Sequence, residues 1–437
     1  MANVTTAIEG VTAALNRDAV EARAAGAPDW LRELRLAAWQ VYEDTPLPTT
    51  KLEEWRYTDV AKFELEKVAL AEPDGAVPAE AEARLEGKKA AGRVLVVDGA
   101  VARIELDDAL RERGVILMDL AEATEAHPEV VREHLATRAV PAEAGKFAAL
   151  NAALWTGGIF LHVPRGVRIE DPIRVVHWVS EAGSAVFPRT LIIASEASHV
   201  AFVEEFASPN FEAPTLSCGA VEVFAHDAAD VQYVALQRWG KGFRHISNQK
   251  TIAGKDANLD TLVVNLGATV ARVDLAASLE GTGARSDMLG LYFASGDQHF
   301  DHNTRQDHVV PHATSDLLYK GALYDSSKTV FRGIIRVHPK AQKTDAYQTN
   351  RNLLLSPDAV AISLPNLEIQ ANDVKCSHGS TTGQLNEEEI FYLMSRGIPR
   401  KTAERLVIFG FFGRVLERLP LPEVVDELRD AIAARLA

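Results

Sequence analysis

The spacing of apolar residues changes character along the chain. Up to about Gly145 the sequence is rich in Ala, Glu and Leu and reads mostly at helical spacing. In "APDWLRELRLAAWQVYED", Trp30, Leu31, Leu34, Leu36, Ala37 and Val41 fall near one face, which predicts an amphipathic helix buried on that side. "TTKLEEWRYTDVAKFEL" follows Pro46 and Pro48. "GRVLVVDGAVARIEL" predicts a strand, an Asp-Gly turn and a second strand, a hairpin signal. "LMDLAEATEAHPEVVREHL" returns to helical spacing. The expectation for residues 1–145 is a helix-rich α+β region.

From about Gly157 to Leu385 the pattern is different. Short runs of Val, Ile, Phe, Tyr and Thr are broken by Gly, Asp, Asn and Pro, with no helical period of ten residues or more. A weak repeat is visible: "ASHVAFVEE" from Ala197, "AADVQYVAL" from Ala228, "ANLDTLVVN" from Ala257 and "ARSDMLGLY" from Ala284. Each has a small or acidic turn, an Ala and an alternating strand. A repeat of this length without helices suggests a β-solenoid whose rungs bury one face against the next. A large antiparallel sandwich or barrel would also place short strands between turns, and the pattern leaves both open. The β core is assigned to residues 146–385.

Helical spacing returns in residues 386–437. Asn386 followed by Glu389 is similar to a capping box, Gly397 suits the position just past a helix end, and Pro399 and Pro422 suit first turns. Ile408, Phe409, Phe411 and Phe412 supply more apolar surface than a few short helices can bury among themselves. The excess should cover the end of the solenoid or meet a partner.

Composition narrows the class. The chain has 437 residues, 47% of them hydrophobic, and a formal net charge of −15. An acidic chain lacks the basic face of a dedicated nucleic-acid binder. The cysteines, Cys218 and Cys376, are too few for a disulfide framework and fit a reducing compartment. The opening stretch "MANVTTAIEGVTAALNRDAVEARAAG" does not read as a secretion signal, and "LVIFGFFGRVL" is too short to span a bilayer. The expectation is a cytoplasmic protein with no membrane or nucleic-acid partner.

Two stretches carry candidate chemistry. In "NDVKCSHGSTTGQL", residues i and i+2 of a strand share a face, so Cys376 and His378 would point together, with Lys375 and Ser377 on the other side. Thiolate and imidazole suit iron, zinc and iron–sulfur centres, but two ligands do not close a site. Three readings follow: a strand-end Cys and His without chemistry, a site completed by another chain, or a site completed by His299, His302, His308 and His312. Those histidines lie in "HFDHNTRQDHVVPHATSD", which could be similar to a cupin-type centre. On one strand His299 and His302 would face apart, and His308 and His312 together. A hydrogen-bonded polar seam, with Asp301, Asn303 and Asp307 satisfying the rings, is the favoured reading of that run. No phosphate-binding Walker A loop, GxGxxG or GxSxG is present.

Several long strings resemble the SufB/SufD family of iron–sulfur cluster assembly proteins: "EEWRYTD" (53–59), "HFDHNTRQDHVVPHATSDLLYKGAL" (299–323), "VFRGIIRVHPKAQKTDAYQTNRNLLLS" (330–356), "PNLEIQANDVKCSHGSTTGQL" (365–385) and "FYLMSRGI" (391–398). "EEWRYTD" and "VKCSHG" resemble the SufD branch. The resemblance implies a right-handed parallel β-helix core with helical N- and C-terminal regions, and so selects the solenoid. It implies a non-catalytic scaffold paired with a SufB-like paralogue, and a SufC-like ABC ATPase supplying the ATP hydrolysis that a chain without a Walker A loop lacks. It also implies a transient iron–sulfur cluster at the interface between the paired subunits. By position in the motif, His378 contributes to that site, with Cys376 beside it. Phe409, Phe411 and Phe412 become candidates for docking the ATPase. A homodimer of the free chain and flavin binding are left open. The competing expectations are a stand-alone cupin-like or β-helix metalloenzyme using His299, His302, His308 and His312, and a partner protein in which Cys376 and His378 are inert.

Overall fold

A computed structural model describes residues 14–419 and 421–436. Residues 1–13 of the opening stretch read above for a leader lie outside the described residues. The alternating runs of the middle region form a parallel β-solenoid of about eight turns with two long sheets. The first sheet runs from Gly158–Val163 through Arg189–Ala194, Thr215–Ala225, Phe243–Ala253, Val270–Leu279, His299–His308 and Lys328–Val337 to Val360–Ile369. The second runs from Ile173–Trp178 through His199–Ala207, Asp230–Arg238, Asn258–Asn265, Arg285–Ala294, Thr314–Leu323 and Asp345–Leu354 to Lys375–Gln384. Among the described residues, no helix interrupts 158–384. Every strand pairs in parallel with the strand one turn away, which rules out the antiparallel sandwich.

The repeat seen in the sequence is one corner of the coil. Ala197, Ala228, Asp256, Gly283, His312 and Lys343 each stand two residues before a strand of the second sheet, with left-handed φ angles of 54° to 81°. The alanine register needs one correction. Ala197 and Ala228 occupy this corner, whereas Ala257 and Ala284 sit one residue later, because Asp230 pairs with both His199 and Asn258. The left-handed turn recurs, and the residue type varies.

Alternate side chains of each strand face the lumen, and their neighbours face outward. The lumen core includes Ile159, Val175, Phe202, Val223, Tyr233, Val263, Val273, Met288 and Phe300. Both outer faces are also covered. Over the first sheet lie the N-terminal elements, including helices Asp29–Asp44 and Lys146–Leu154, against Phe160, Leu191, Ile193, Leu216 and Cys218. The inward face of helix Asp29–Asp44 differs from the predicted one. Leu31, Arg35, Ala38, Trp39 and Tyr42 are buried, Trp30, Leu34, Leu36 and Val41 are half-buried, and Ala37 is exposed. The buried Arg35 donates to Ala153 O at 3.0 Å and Trp155 O at 2.8 Å, so a cation replaces an apolar residue at the contact between the helices.

Over the second sheet lie helices Arg400–Leu416 and Pro422–Arg435. Ile408, Phe412, Val415, Leu416, Leu428 and Ile432 pack on Val234, Leu236, Leu262, Val264, Leu289 and Leu291. The tail therefore covers a flank of the solenoid rather than its end, because that flank carries an outward apolar stripe that water would otherwise meet. Asn386 caps helix Glu387–Ser395 by accepting from Glu388 N at 2.9 Å.

The two ends of the coil differ. Toward the N-terminus, Gly92–Val97 and its hairpin partner Ala100–Leu106 extend the second sheet, and Ile116–Asp119 closes the first in antiparallel fashion. The turn residues Asp98 and Gly99 have φ of 48° and 83°, as an Asp-Gly hairpin requires. Toward the C-terminus, among the described residues, Val360–Ile369 and Lys375–Gln384 each pair on one edge only. Among the described residues, no helix is long and apolar enough to cross a membrane.

Candidate functional site at the open end

The strand Lys375–Gln384 is the terminal turn of the second sheet. Its register fixes which side chains look inward. Cys376 pairs with Ala346, His378 with Gln348, Ser380 with Asn350 and Thr382 with Asn352. Ala346, Gln348, Asn350 and Asn352 are all buried. Cys376 and His378 therefore stand on one face, as the i, i+2 spacing predicts, at the mouth of the lumen.

Their environments differ. Cys376 is half-buried and packs with Leu367 and Val374 near Ala346, Ile335 and Val337. Burial, then the nearby Asp345 charge, raises its thiol above the ordinary range, so it needs a cation or a metal to become thiolate at neutral pH. His378 is exposed, and its imidazole makes no hydrogen bond among the described residues. An unencumbered imidazole at a solvent-open strand edge can bind a metal or accept a proton. Cys218 is a different case. It is fully buried, donates to Phe147 O at 3.5 Å, and its thiol is pushed far up by burial. It belongs to the packing between helix and sheet.

The four histidines of the 299–312 run are not brought together. His299 faces outward from its strand, and Nε2 lies 2.8 Å from Thr58 Oγ1. His302 and His308 face the lumen, His302 Nε2 at 2.6 Å from Asn265 Nδ2 and His308 Nε2 at 2.8 Å from Ser315 Oγ. His312 is off the strand, at a left-handed corner, so it does not share a face with His308 as expected. The expected partners were also wrong. Asp307 accepts from His338 at 2.8 Å, and Asp301 binds Arg272 and Thr58, whereas Thr58 of the N-terminal region, Asn265 and Ser315 each engage the Nε2 of one imidazole of the run. Among the described residues, no three His, Cys, Asp or Glu are arranged to hold a metal ion.

The long string "EEWRYTD" has a structural role. It straps the outer face of the first sheet. Thr58 Oγ1 donates to Asp301 Oδ2 at 2.6 Å, and Arg272 donates to both Asp301 Oδ2 at 2.7 Å and Glu54 O at 2.8 Å. The Arg272 guanidinium lies 3.9 Å from the Trp55 ring centroid. Arg332 donates to Glu53 O at 3.0 Å. Two strings more than 200 residues apart in sequence thus form one clasp.

Of the aromatic residues expected to dock a partner, Phe412 is buried and Phe409 and Phe411 pack partly into the tail–solenoid contact. The exposed apolar side chains of the tail are Phe391 at 72%, Tyr392 at 57%, Met394 and Leu406. The sequence signal for them was "FYLM" on a helix whose single buried residue among those described is Ile390.

The sequence reading also missed Tyr292, Gln348, Asn350 and Asn352, a buried polar layer behind the terminal strand. Polar residues on a solenoid strand look solvent-facing until the register shows which way they point.

The description "SUF system FeS cluster assembly, SufBD core domain" matches residues 177–411, and "SufBD protein N-terminal region" matches residues 13–175. The iron-sulfur cluster assembly protein SufD of Bacillus subtilis (strain 168) is 30% identical over 416 residues, 94% of each chain. An iron-sulfur cluster assembly SufBD family protein of Staphylococcus epidermidis is 28% identical over 409 residues, 91% of this chain and 88% of the relative. One from Staphylococcus haemolyticus is 27% identical over the same length. With the core match covering more than half of the chain and a parallel solenoid beneath it, the chain belongs to the SufBD family of SUF-system iron–sulfur cluster assembly proteins and is SufD-like within it.

Proposed function

We propose that this chain is the SufD-like half of a two-subunit scaffold, and that its open solenoid end meets a SufB-like paralogue. The observation that carries the reading is the asymmetry of the coil. One end is closed by a hairpin, whereas the other leaves two parallel strand edges unpaired among the described residues, with Cys376 and His378 beside them. Unpaired edges are templates for another chain. Two ligands make a weak, open site alone and a complete one when a partner adds its own. The iron–sulfur cluster is cargo on this reading, built at the interface and passed on, and the chain itself has no turnover.

ATP hydrolysis would come from a SufC-like ATPase docked on the C-terminal helices. Phe391, Tyr392 and Met394 favour this reading more than Phe409, Phe411 and Phe412, because a docking surface must be accessible. Phe391→Ser should weaken ATPase capture while leaving the fold intact. Deleting residues 386–437 is a poorer test, since it would uncover the apolar flank around Leu236 and Leu262.

The decisive variant is His378→Ala in a complex co-expressed with both partners. An exposed side chain contributes little to stability, so the complex should elute normally. Cluster absorption in the visible range should be lost, because alanine offers neither a ligand nor a proton acceptor. Cys376→Ser should hurt less if a partner thiolate remains. Wild-type absorption from an intact His378→Ala complex would remove His378 from the site.

A further inference from the structure

The terminal strand poses a mechanical problem. Among the described residues Lys375–Gln384 has one neighbouring strand, and of its inward side chains Cys376 alone joins an apolar cluster, whereas His378, Ser380 and Thr382 are polar. Packing, which holds the earlier turns, reaches only the Cys376 end of this one. Its neighbour Asp345–Leu354 is likewise polar inside, with Gln348, Asn350 and Asn352 fully or nearly buried. What fixes the strand has to be hydrogen bonding.

The register exposes one inward column across four successive strands: Tyr292, Gly321, Asn352 and Thr382. Tyr292 reaches over Gly321 to the next turn, where its hydroxyl donates to Asn352 Oδ1 at 2.5 Å. Asn350 Nδ2 donates to the same hydroxyl at 2.9 Å, and Asn352 Nδ2 donates to Asn350 Oδ1 at 2.8 Å. Asn352 Nδ2 also stands 3.5 Å from Thr382 Oγ1, the long final link. The reach depends on glycine, because a Cβ at Gly321 would overlap the Tyr292 ring. The ring is seated by His302, stacked 4.6 Å away. Beside this column, Gln348 ties the two walls together by donating to Asn366 O at 3.1 Å.

We propose that Tyr292 is a positioning residue for the mouth of the solenoid: through Asn350 and Asn352 it holds the terminal strand, and with it Cys376 and His378, in register. This rests on the reading that the terminal strand carries the assembly site. A phenol suits the task because it is a rigid lever long enough to cross one turn, and its hydroxyl both donates and accepts. A buried amide pair without that hydroxyl loses a donor and an acceptor at once.

Tyr292→Phe tests this in the full chain, since it keeps the ring, the stack on His302 and the fit over Gly321. Cys376 is the accessible thiol, so its labelling rate with a disulfide reagent reports on the mouth, while buried Cys218 stays silent. We expect labelling to accelerate at least about fivefold, and amide hydrogen exchange in residues 375–384 at least about tenfold. Exchange in 199–238 should be unchanged. Thr382→Val, at the exposed end of the column, repeats the test if Tyr292→Phe does not fold, and should accelerate labelling at least about twofold. Rates within twofold of wild type in a folded Tyr292→Phe chain would overturn the proposal. So would equal acceleration in every turn, which would mark general loosening. Cluster yield in the co-expressed complex is a separate readout. Normal yield together with fast labelling would sink the site assignment and leave the positioning role standing.

Discussion

Mild acid should cost this protein a large part of its stability, and the buried histidines give the size of the loss. His245, His299 and His302 are pushed down to about 3 and His308 to about 4, from 6.5, chiefly by burial away from water. The unfolded chain takes up these protons near pH 6.5, whereas the folded chain holds neutral rings until far lower. Their contribution is complete above pH 6.5 and is lost as pH falls toward 3. One unit below 6.5 is worth about 1.4 kcal/mol per ring, so going from pH 7.5 to 5.5 withdraws about 5 kcal/mol for the four. Asp260 works the other way. Burial, then the Asp287 and Asp230 charges, push it up to about 6, and its protonation in the folded chain returns about 1 kcal/mol by pH 5.5. The net loss of about 4–5 kcal/mol compares with a total stability of about 5–15 kcal/mol. Urea unfolding at pH 7.5, 6.5 and 5.5 and constant ionic strength, followed by circular dichroism, measures it. His308→Gln can keep a bond to Ser315 and should remove about 1.4 kcal/mol of the pH-dependent loss. A drop below about 1 kcal/mol, or an unaltered pH slope in His308→Gln, would refute the reading of neutral buried rings.

Other perturbations follow from the packing. Glu222 and Arg189 are fully buried, and Glu222 also accepts from Ala136 N at 3.0 Å and Val140 N at 3.2 Å. Glu222→Ala should cost about 3–5 kcal/mol in urea titration by stranding the guanidinium, and the paired change Arg189→Met with Glu222→Leu should cost clearly less. Gly321→Ala should cost about 1–3 kcal/mol, read as a lowered urea midpoint, because the Tyr292 ring fills the space a methyl group needs. Equal stability in either single variant would contradict the geometry described.

Some of this was legible in the residues themselves. The change from helical spacing to short alternating runs, the Asp98-Gly99 hairpin, the Asn386 cap and the shared face of Cys376 and His378 are local properties. Each depends on two to ten neighbouring residues and on backbone preferences that act without the rest of the fold. The repeat along the middle region was also visible, but only to within one residue, because the recurring feature is a left-handed corner that Ala, Asp, Gly, His or Lys can occupy. Local pattern alone could not choose solenoid over sandwich, since both need short strands and frequent turns; the family resemblance carried that choice.

What the tertiary structure decided is which distant residues meet. Helix Asp29–Asp44 buries Arg35 and Tyr42 because two carbonyls and the Trp155 ring await the one and the Lys146 ammonium the other, which no periodicity reveals. The imidazoles of the 299–312 run take Thr58, Asn265 and Ser315 as partners rather than their neighbouring acids, because adjacent strand residues face apart: the inward His302 and His308 meet residues of the second sheet, and the outward His299 meets the N-terminal strap. Phe412 is interior and Phe391 exterior for the same kind of reason: the apolar stripe on the flank of the solenoid selects which helix face it will cover. The column from Tyr292 to Thr382 spans residues 60 to 90 apart in sequence, and it exists because parallel coiling places every turn directly beneath the one before it.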